Sequence, residues 1–166
     1  LLENKRLNTI LGGRLLLKAE CLQHTGSFKY RGAFNCITNL SKTDLAAGVI
    51  CYSSGNHAQA VAATAQTLGI DAVVVVPSTA PQVKLDAAND YGAEVIVHEG
   101  TRSRMESFVK DLASRTGRFL VKPFDDPQII SAQGVIGLEI IEQLPDVDEV
   151  YVPIGCLLYT SDAADE

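Results

Sequence analysis

The 166-residue sequence contains no run of 18 or more apolar residues, so no transmembrane helix is expected. No basic segment leads into an apolar one, so no signal peptide is visible and a cytoplasmic location is expected. Positive charge is not in excess. Fourteen Lys and Arg against 20 Asp and Glu leave a formal net charge of −6, which disfavours a nucleic-acid-binding face. There is no C-x-x-C pair and no Cys/His cluster at ligand spacing, so no metal site is expected. The four cysteines, Cys21, Cys36, Cys51 and Cys156, read instead as small buried hydrophobes of a reduced protein. Thirteen glycines and six prolines are too few for a low-complexity chain, and no internal repeat stands out. What is present is globular: 46% hydrophobic and 20% charged residues. One domain of this size buries roughly 70% of its unfolded surface.

The pattern alternates strand and helix. Arg14–Ala19 reads as a strand after the Gly12-Gly13 turn, and Phe28–Leu40 as a helix with Ser27 as N-cap. A short helix over Lys42–Ala47 ends at Gly48, and Val49–Tyr52 is a short apolar strand. His57–Leu68 is an alanine-rich helix closed by Gly69. Ala72–Val76, apolar on both faces and rich in valine, reads as a central parallel strand. A helix opens near Pro81 and closes at Gly92, then come a strand over Ala93–Val97 and a helix over Arg102–Thr116. Phe119–Val121, Ser131–Leu144 and Glu149–Val152 read as strand, helix and strand. Strands separated by helices mean βαβ units, an α/β class, and open, mainly parallel sheets with flanking helices. Ligands in such sheets lie beyond the carboxyl ends of strands. That rule points to the turns after Ala19, Tyr52, Val76, Val97, Val121 and Val152.

Two of those regions carry unusual chemistry. In Thr25–Ala33, Lys29 falls in the first turn of a helix, where the positive end of the helix disfavours a cation. That field, with burial beside Phe28 and Tyr30, favours a nucleophilic amine able to form Schiff bases. Taken alone, the same lysine also reads as an ordinary solvated side chain. In Ser53-Ser54-Gly55-Asn56-His57, hydroxyls and backbone N–H groups crowd a helix N-terminus, a natural carboxylate or phosphate site. Gly55 permits positive φ and close ligand approach, and Asn56 offers both a donor and an acceptor. Taken alone, this is also an ordinary capping turn. Arg31 reads as a salt-bridge anchor for its helix, and Asp125-Asp126 as a turn before Pro127 rather than a metal site. His24 and His98 lack partners at ligand spacing. The Arg102–Arg104 stretch reads as a solvated helix start, and the alanines between 58 and 65 as close helix–sheet packing.

Taken together, Ser27-Phe28-Lys29-Tyr30-Arg31-Gly32-Ala33 and Ser53-Ser54-Gly55-Asn56-His57-Ala58-Gln59-Ala60 resemble pyridoxal-phosphate enzymes of the tryptophan synthase β-like fold, fold type II. The branch is that of the serine/threonine dehydratases and serine racemases. Leu17–Glu20, Val76-Pro77, Tyr91–Val95, Pro123–Pro127, Ala132-Gln133-Gly134 and Gly137-Leu138-Glu139 agree with it, so the resemblance runs from Leu1 to Gly155. It implies pyridoxal 5'-phosphate as cofactor, Lys29 as the Schiff-base lysine, and Asn56 bonded to the cofactor's ring hydroxyl. It places Phe28 against the pyridine ring, and Ser53, Ser54, Gly55, Asn56 and His57 around the substrate carboxylate. Gly155 would begin the phosphate loop.

The implied activity is α,β-elimination from L-threonine or L-serine, giving a 2-oxo acid and ammonia. The implied substrate is thus a small hydroxy amino acid, and the parent enzyme a homo-oligomer. Ser54 stands where serine racemases place a second acid/base group, so racemisation, alone or beside dehydration, is the alternative. Elimination from 3-hydroxyaspartate is a further one, and a non-catalytic βαβ binding module is the rival of another class. The resemblance also implies that 1–40 and 124–155 belong to a larger cofactor domain and 41–123 to a smaller substrate-side domain. After Gly155 the glycine run of the family is missing. Residues 156–166 therefore read as a non-native tail, the chain as an incomplete version of the fold, and the 166 residues alone as inactive.

Overall fold

The computed structural model describes residues 1–53 and 55–153. Its elements in chain order are β1 (Leu2–Glu3), α1 (Lys5–Leu11), β2 (Leu16–Leu17), α2 (Lys29–Thr38), α3 (Lys42–Ala47), β3 (Val49–Tyr52), α4 (Asn56–Leu68), β4 (Ala72–Pro77), α5 (Gln82–Asp90), β5 (Glu94–His98), α6 (Arg102–Thr116), β6 (Phe119–Leu120) and α7 (Pro127–Gln143). Strands β5-β4-β3-β6 form one parallel four-stranded sheet. This is the α/β architecture expected, with a parallel sheet and flanking helices.

Side chains alternate across a strand, and here both faces are buried. Val49, Cys51, Val74 and Val76 face α2, α4 and α7 in one apolar cluster. Ile50, Val73 and Val75 face Met105 and Val109 of α6 in another. That double burial is why β3 and β4 read as continuous apolar runs rather than alternating ones. Ala58, Ala60, Ala62, Ala63 and Ala65 of α4 are all buried, so the small side chains let this helix lie close to the sheet. Gly48, between α3 and β3, has φ 81°. A Cβ there would lie 2.7 Å from the Asp71 carbonyl, so the turn needs glycine twice over.

Several expectations are corrected. Only Leu16–Leu17 of the Arg14–Ala19 run is a strand, and it pairs antiparallel with β1. Beyond it the chain winds into a 3-10 turn, with the Leu22 amide donating to the Ala19 carbonyl. The turn after Ala19 therefore lies outside the parallel sheet. Glu149–Val152 forms no strand among the described residues, and Tyr151 is 84% exposed. A β-pattern needs a neighbouring strand to satisfy its backbone, and none pairs with it among the described residues.

Helix α2 starts at Lys29, and Ser27 does not cap it. Ser27 stays extended, and its hydroxyl is buried without a hydrogen-bond partner. Helix α7 begins a turn before the expected Ser131. Asp126 accepts from the Gln128 amide at 2.9 Å and Pro127 takes the first helical position. Pro81 sits just outside α5 rather than in its first turn, with ψ at 136°. Among the cysteines, Cys36 and Cys51 are buried as expected, but Cys21 is exposed on the 3-10 turn. Burial, helped by the charge of Asp126, pushes the Cys36 thiol up to about 11.

Candidate active site

Three backbone segments converge at the carboxyl end of the sheet. The first is the turn leaving β3. Its start is tied to β4 by the Ser53 amide, which donates to the Val75 carbonyl at 3.1 Å. The Gly55 amide then donates back to Ser53 Oγ at 3.1 Å. Gly55 has φ −148° and does not use the positive φ open to glycine, its amide turning inward to Ser53 as the chain enters α4. Asn56 opens α4 half-buried, and His57 follows, 1% exposed.

The second segment leaves β6. The Val121 amide donates to the Ile50 carbonyl at 2.9 Å and extends the ladder by one bond. The Val121 carbonyl faces His57 Nε2 at 3.0 Å. A carbonyl only accepts, so the proton of that bond sits on Nε2. Burial, then the nearby charge of Lys29, hold the imidazole at about 3, against the opposing effect of the Val121 bond. His57 is therefore neutral at physiological pH.

The third segment is the start of α2. Lys29 is 1% exposed, so it is not the solvated side chain it resembles when read alone. Its Nζ donates to the Pro123 carbonyl at 2.9 Å and lies 5.4 Å from the ring centroid of buried Phe28. Two non-glycine residues at positive φ flank this pair in sequence: Thr25 at 63° and Asp125 at 49°. Each costs roughly 1–2 kcal/mol, a cost the surrounding packing must offset. Such strain tends to gather at functional sites.

Behind Lys29, a four-residue charge cluster fixes α2. Arg31 grips Glu20 with Nε at 2.8 Å and Nη2 at 2.9 Å. It grips Glu139 of α7 with Nη1 at 2.7 Å and Nη2 at 2.9 Å. Lys18 completes the cluster with Nζ 2.6 Å from Glu139 Oε2. Both Arg31 contacts are two-pronged, the geometry in which guanidinium–carboxylate pairs are strongest. Arg31 is thus the anchor that its position suggested. Its hydrogen bonds and those of Lys18 hold the Glu139 carboxyl down at about 2.

The structure brings Lys29, Phe28 and His57 to one end of the sheet, and it places Ser53, Gly55 and Asn56 in the adjoining turn. Ser54 and Gly155 lie outside the described residues. Sequence reasoning missed the carbonyls of Val121 and Pro123, because a backbone acceptor leaves no side-chain signature. The remaining candidates behave as ordinary residues. Among the described residues, no group of His, Cys, Asp and Glu could hold a metal. Asp126 is a helix cap, and His24 is exposed and stands edge-on to Tyr30 at 4.5 Å. His98 packs on Phe108 at 5.1 Å, its Nδ1 buried without a partner. No described helix is long and apolar enough to cross a membrane.

Comparison with known proteins now bears on this geometry. An L-threonine dehydratase, catabolic TdcB, of Escherichia coli strain K12 is 47% identical over 143 residues, covering 86% of this chain and 44% of that protein. A serine racemase of Arabidopsis thaliana is 44% identical over 154 residues, covering 93% of this chain and 46% of that protein. The chain thus spans less than half the length of these curated relatives. In three dimensions it superposes on the processed form of threonine deaminase isoform 2 from Solanum lycopersicum. The TM-score is 0.83 at 41% identity, covering 89% of this chain and 40% of that one. The family profile described as "Pyridoxal-phosphate dependent enzyme" matches residues 1–156. That match takes in every segment that meets around Lys29, and this chain belongs to the pyridoxal-phosphate-dependent enzyme family.

Proposed function

We propose that this chain is the lysine-bearing part of an ammonia-lyase that takes L-threonine or L-serine to a 2-oxo acid and ammonia. The observation that carries the reading is the buried Lys29 amine, held at the carboxyl end of a parallel sheet beside the N-terminus of α4. The residues present fit pyridoxal 5'-phosphate. Lys29 offers the amine, Phe28 a buried aromatic face, and Asn56 an amide at the mouth of the turn. Ser27 adds a buried hydroxyl still lacking a partner. When bound, the cofactor supplies an electron sink for a carbanion next to the amino group.

The rest of the work falls to the chain. Ser53, Ser54, Gly55, Asn56 and His57 take the substrate carboxylate, where the positive end of α4 favours an anion. The Lys29 amine accepts the α-proton at Nζ. Burial of Phe28, Lys29 and His57 keeps water from that amine. Neutral His57 adds no second positive charge beside it. Residue 155 would open the phosphate-binding loop as Gly155. We assign 1–40 and 124–155 to the cofactor side and 41–123 to the substrate side. We place the parent protein in the cytoplasm as a homo-oligomer. The free thiols of Cys21, Cys36 and Cys51 suit a reducing compartment.

Racemisation is the second reading. It is favoured by the serine at position 54, which offers a hydroxyl as a second acid/base group, and by the 44% identity to a serine racemase. One experiment separates the two. A protein carrying residues 1–153, completed to the length of its relatives, is assayed for 2-oxo acid from L-threonine and L-serine and for D-serine. Lyase action gives 2-oxo acid that disappears in Lys29→Ala. D-serine that is lost in Ser54→Ala while pyruvate persists makes the enzyme bifunctional. Absence of both products overturns the enzyme reading. Catalysis needs preorganised groups on both sides of the cofactor, so the 166-residue chain alone is expected to show no useful turnover.

A further inference from the structure

We propose that the segment Val121–Pro123 is a resting strap for the Lys29 amine in the cofactor-free protein, and that His57 is the positioning residue that holds the strap. The proposal takes Lys29 as the cofactor-binding lysine, and adds where its amine waits and what keeps it there.

The strap is fixed at both ends. Its first residue, Val121, is fully buried, with its amide on the Ile50 carbonyl at 2.9 Å and its carbonyl on His57 Nε2 at 3.0 Å. Both peptide planes around Val121 are therefore set. Lys122 precedes a proline, which confines it to extended backbone, and the ring of Pro123 locks its own φ. Few soft torsions remain between the Val121 carbonyl and the Pro123 carbonyl, so a shift of the first is passed to the second. Beyond Pro123 the chain turns through Asp125 at φ 49° and is caught by the Asp126 cap of α7.

The Pro123 carbonyl is where Lys29 rests, at 2.9 Å. A hydrogen bond to this oxygen fixes where the amine sits and which way its lone pair points, so loosening the oxygen changes how readily that lone pair meets an aldehyde carbon. The strap thus governs how readily Lys29 reacts, and His57 governs the strap. His57 suits that task because it is buried and uncharged, so its Nε2 proton is committed to one acceptor.

The test uses the 166-residue chain without cofactor. Formaldehyde and borohydride methylate its lysines, and peptide mass analysis follows the rate at Lys29 relative to exposed Lys42 in the same molecule. In His57→Phe the Lys29/Lys42 ratio is expected to rise about fivefold, the factor commanded by one neutral hydrogen bond. His57→Gln, which keeps a side-chain N–H donor, is expected to restore most of the parent ratio. A general loosening of the fold would also raise the rates at half-buried Lys18 and Lys84 and would not be rescued by glutamine. An unchanged ratio in folded His57→Phe overturns the proposal.

If that variant does not fold, Lys29→Met takes its place. Exchange of the His57 Nε2 proton with water is then expected to speed up several-fold by NMR, and an unchanged rate overturns the proposal. Neither readout involves pyridoxal phosphate, so failure here leaves the cofactor reading intact, and failure of the cofactor reading leaves the strap intact.

Discussion

Residues 42–121 and the two segments around them, 1–34 and 127–152, differ in how much of their apolar surface they bury. The sheet region is packed on both faces, with Val49, Ile50, Val74 and Val75 fully buried. The flanking segments keep large apolar side chains outward. Ile10 is 69% exposed, Leu138 68% and Ile141 60%. Their order comes from α2 packed between α4 and α7, and from the Arg31 cluster. The contrast teaches that the sheet region is held by apolar burial on both faces, while the flanks bury one apolar face of α2 and α7 and add directed polar contacts. Lys29 sits where the two meet: its helix belongs to the flank, while its amine is bonded to a carbonyl on the strap that leaves the sheet.

The contrast breaks most visibly through the core. Ile50→Ala is expected to cost about 2–5 kcal/mol, the range for emptying a tight apolar site, measured by the urea midpoint. A smaller effect is expected at the seam. Arg31→Leu leaves Glu20 half-buried without its partner and Glu139 with Lys18 alone, and is expected to cost about 2 kcal/mol. A loss equal to that of Ile50→Ala would show that the two regions are a single packing unit.

Acid should separate the regions as well. His57 titrates at about 3 in the fold against 6.5 ordinarily, so the unfolded chain binds the extra proton in between. Its contribution is full above 6.5 and falls as pH drops towards 3. Glu139 titrates at about 2 against 4.5 ordinarily, so its contribution is full above 4.5 and falls towards 2. Stability measured against pH should therefore lose its upper slope in His57→Gln and its lower slope in Glu139→Gln. The smallest effect is expected on the outer face of α7, where Leu138→Ser should change stability by no more than about 0.5 kcal/mol.

How much of this could be read from the sequence follows the same division. Strands β3 and β4 were legible because burial on both faces leaves an unbroken apolar run, and α4 because alanines mark a close approach. The Glu149–Val152 run misleads because a strand is a relation between two segments and its pattern names no partner. Ser27 misleads because capping depends on where the helix begins, and Phe28 already has helical torsions. In the site, Lys29, Asn56 and His57 stand out by residue type and motif. The strap does not, since its working atoms are main-chain oxygens that any sequence would carry. The Arg31 cluster is half-legible: its charges are plain, but 108 residues separate Arg31 from Glu139, and only the fold joins them.

The central claim is that Lys29 is the residue that takes the cofactor. It is tested most directly by adding pyridoxal phosphate to a protein that carries residues 1–153 completed to the length of its relatives, fixing the adduct with borohydride, and mapping it by peptide mass. The account predicts a single dominant adduct on Lys29, with the accompanying visible absorbance lost in Lys29→Ala. Adducts spread over exposed lysines, with Lys29 unmodified and the absorbance unchanged in Lys29→Ala, would contradict it.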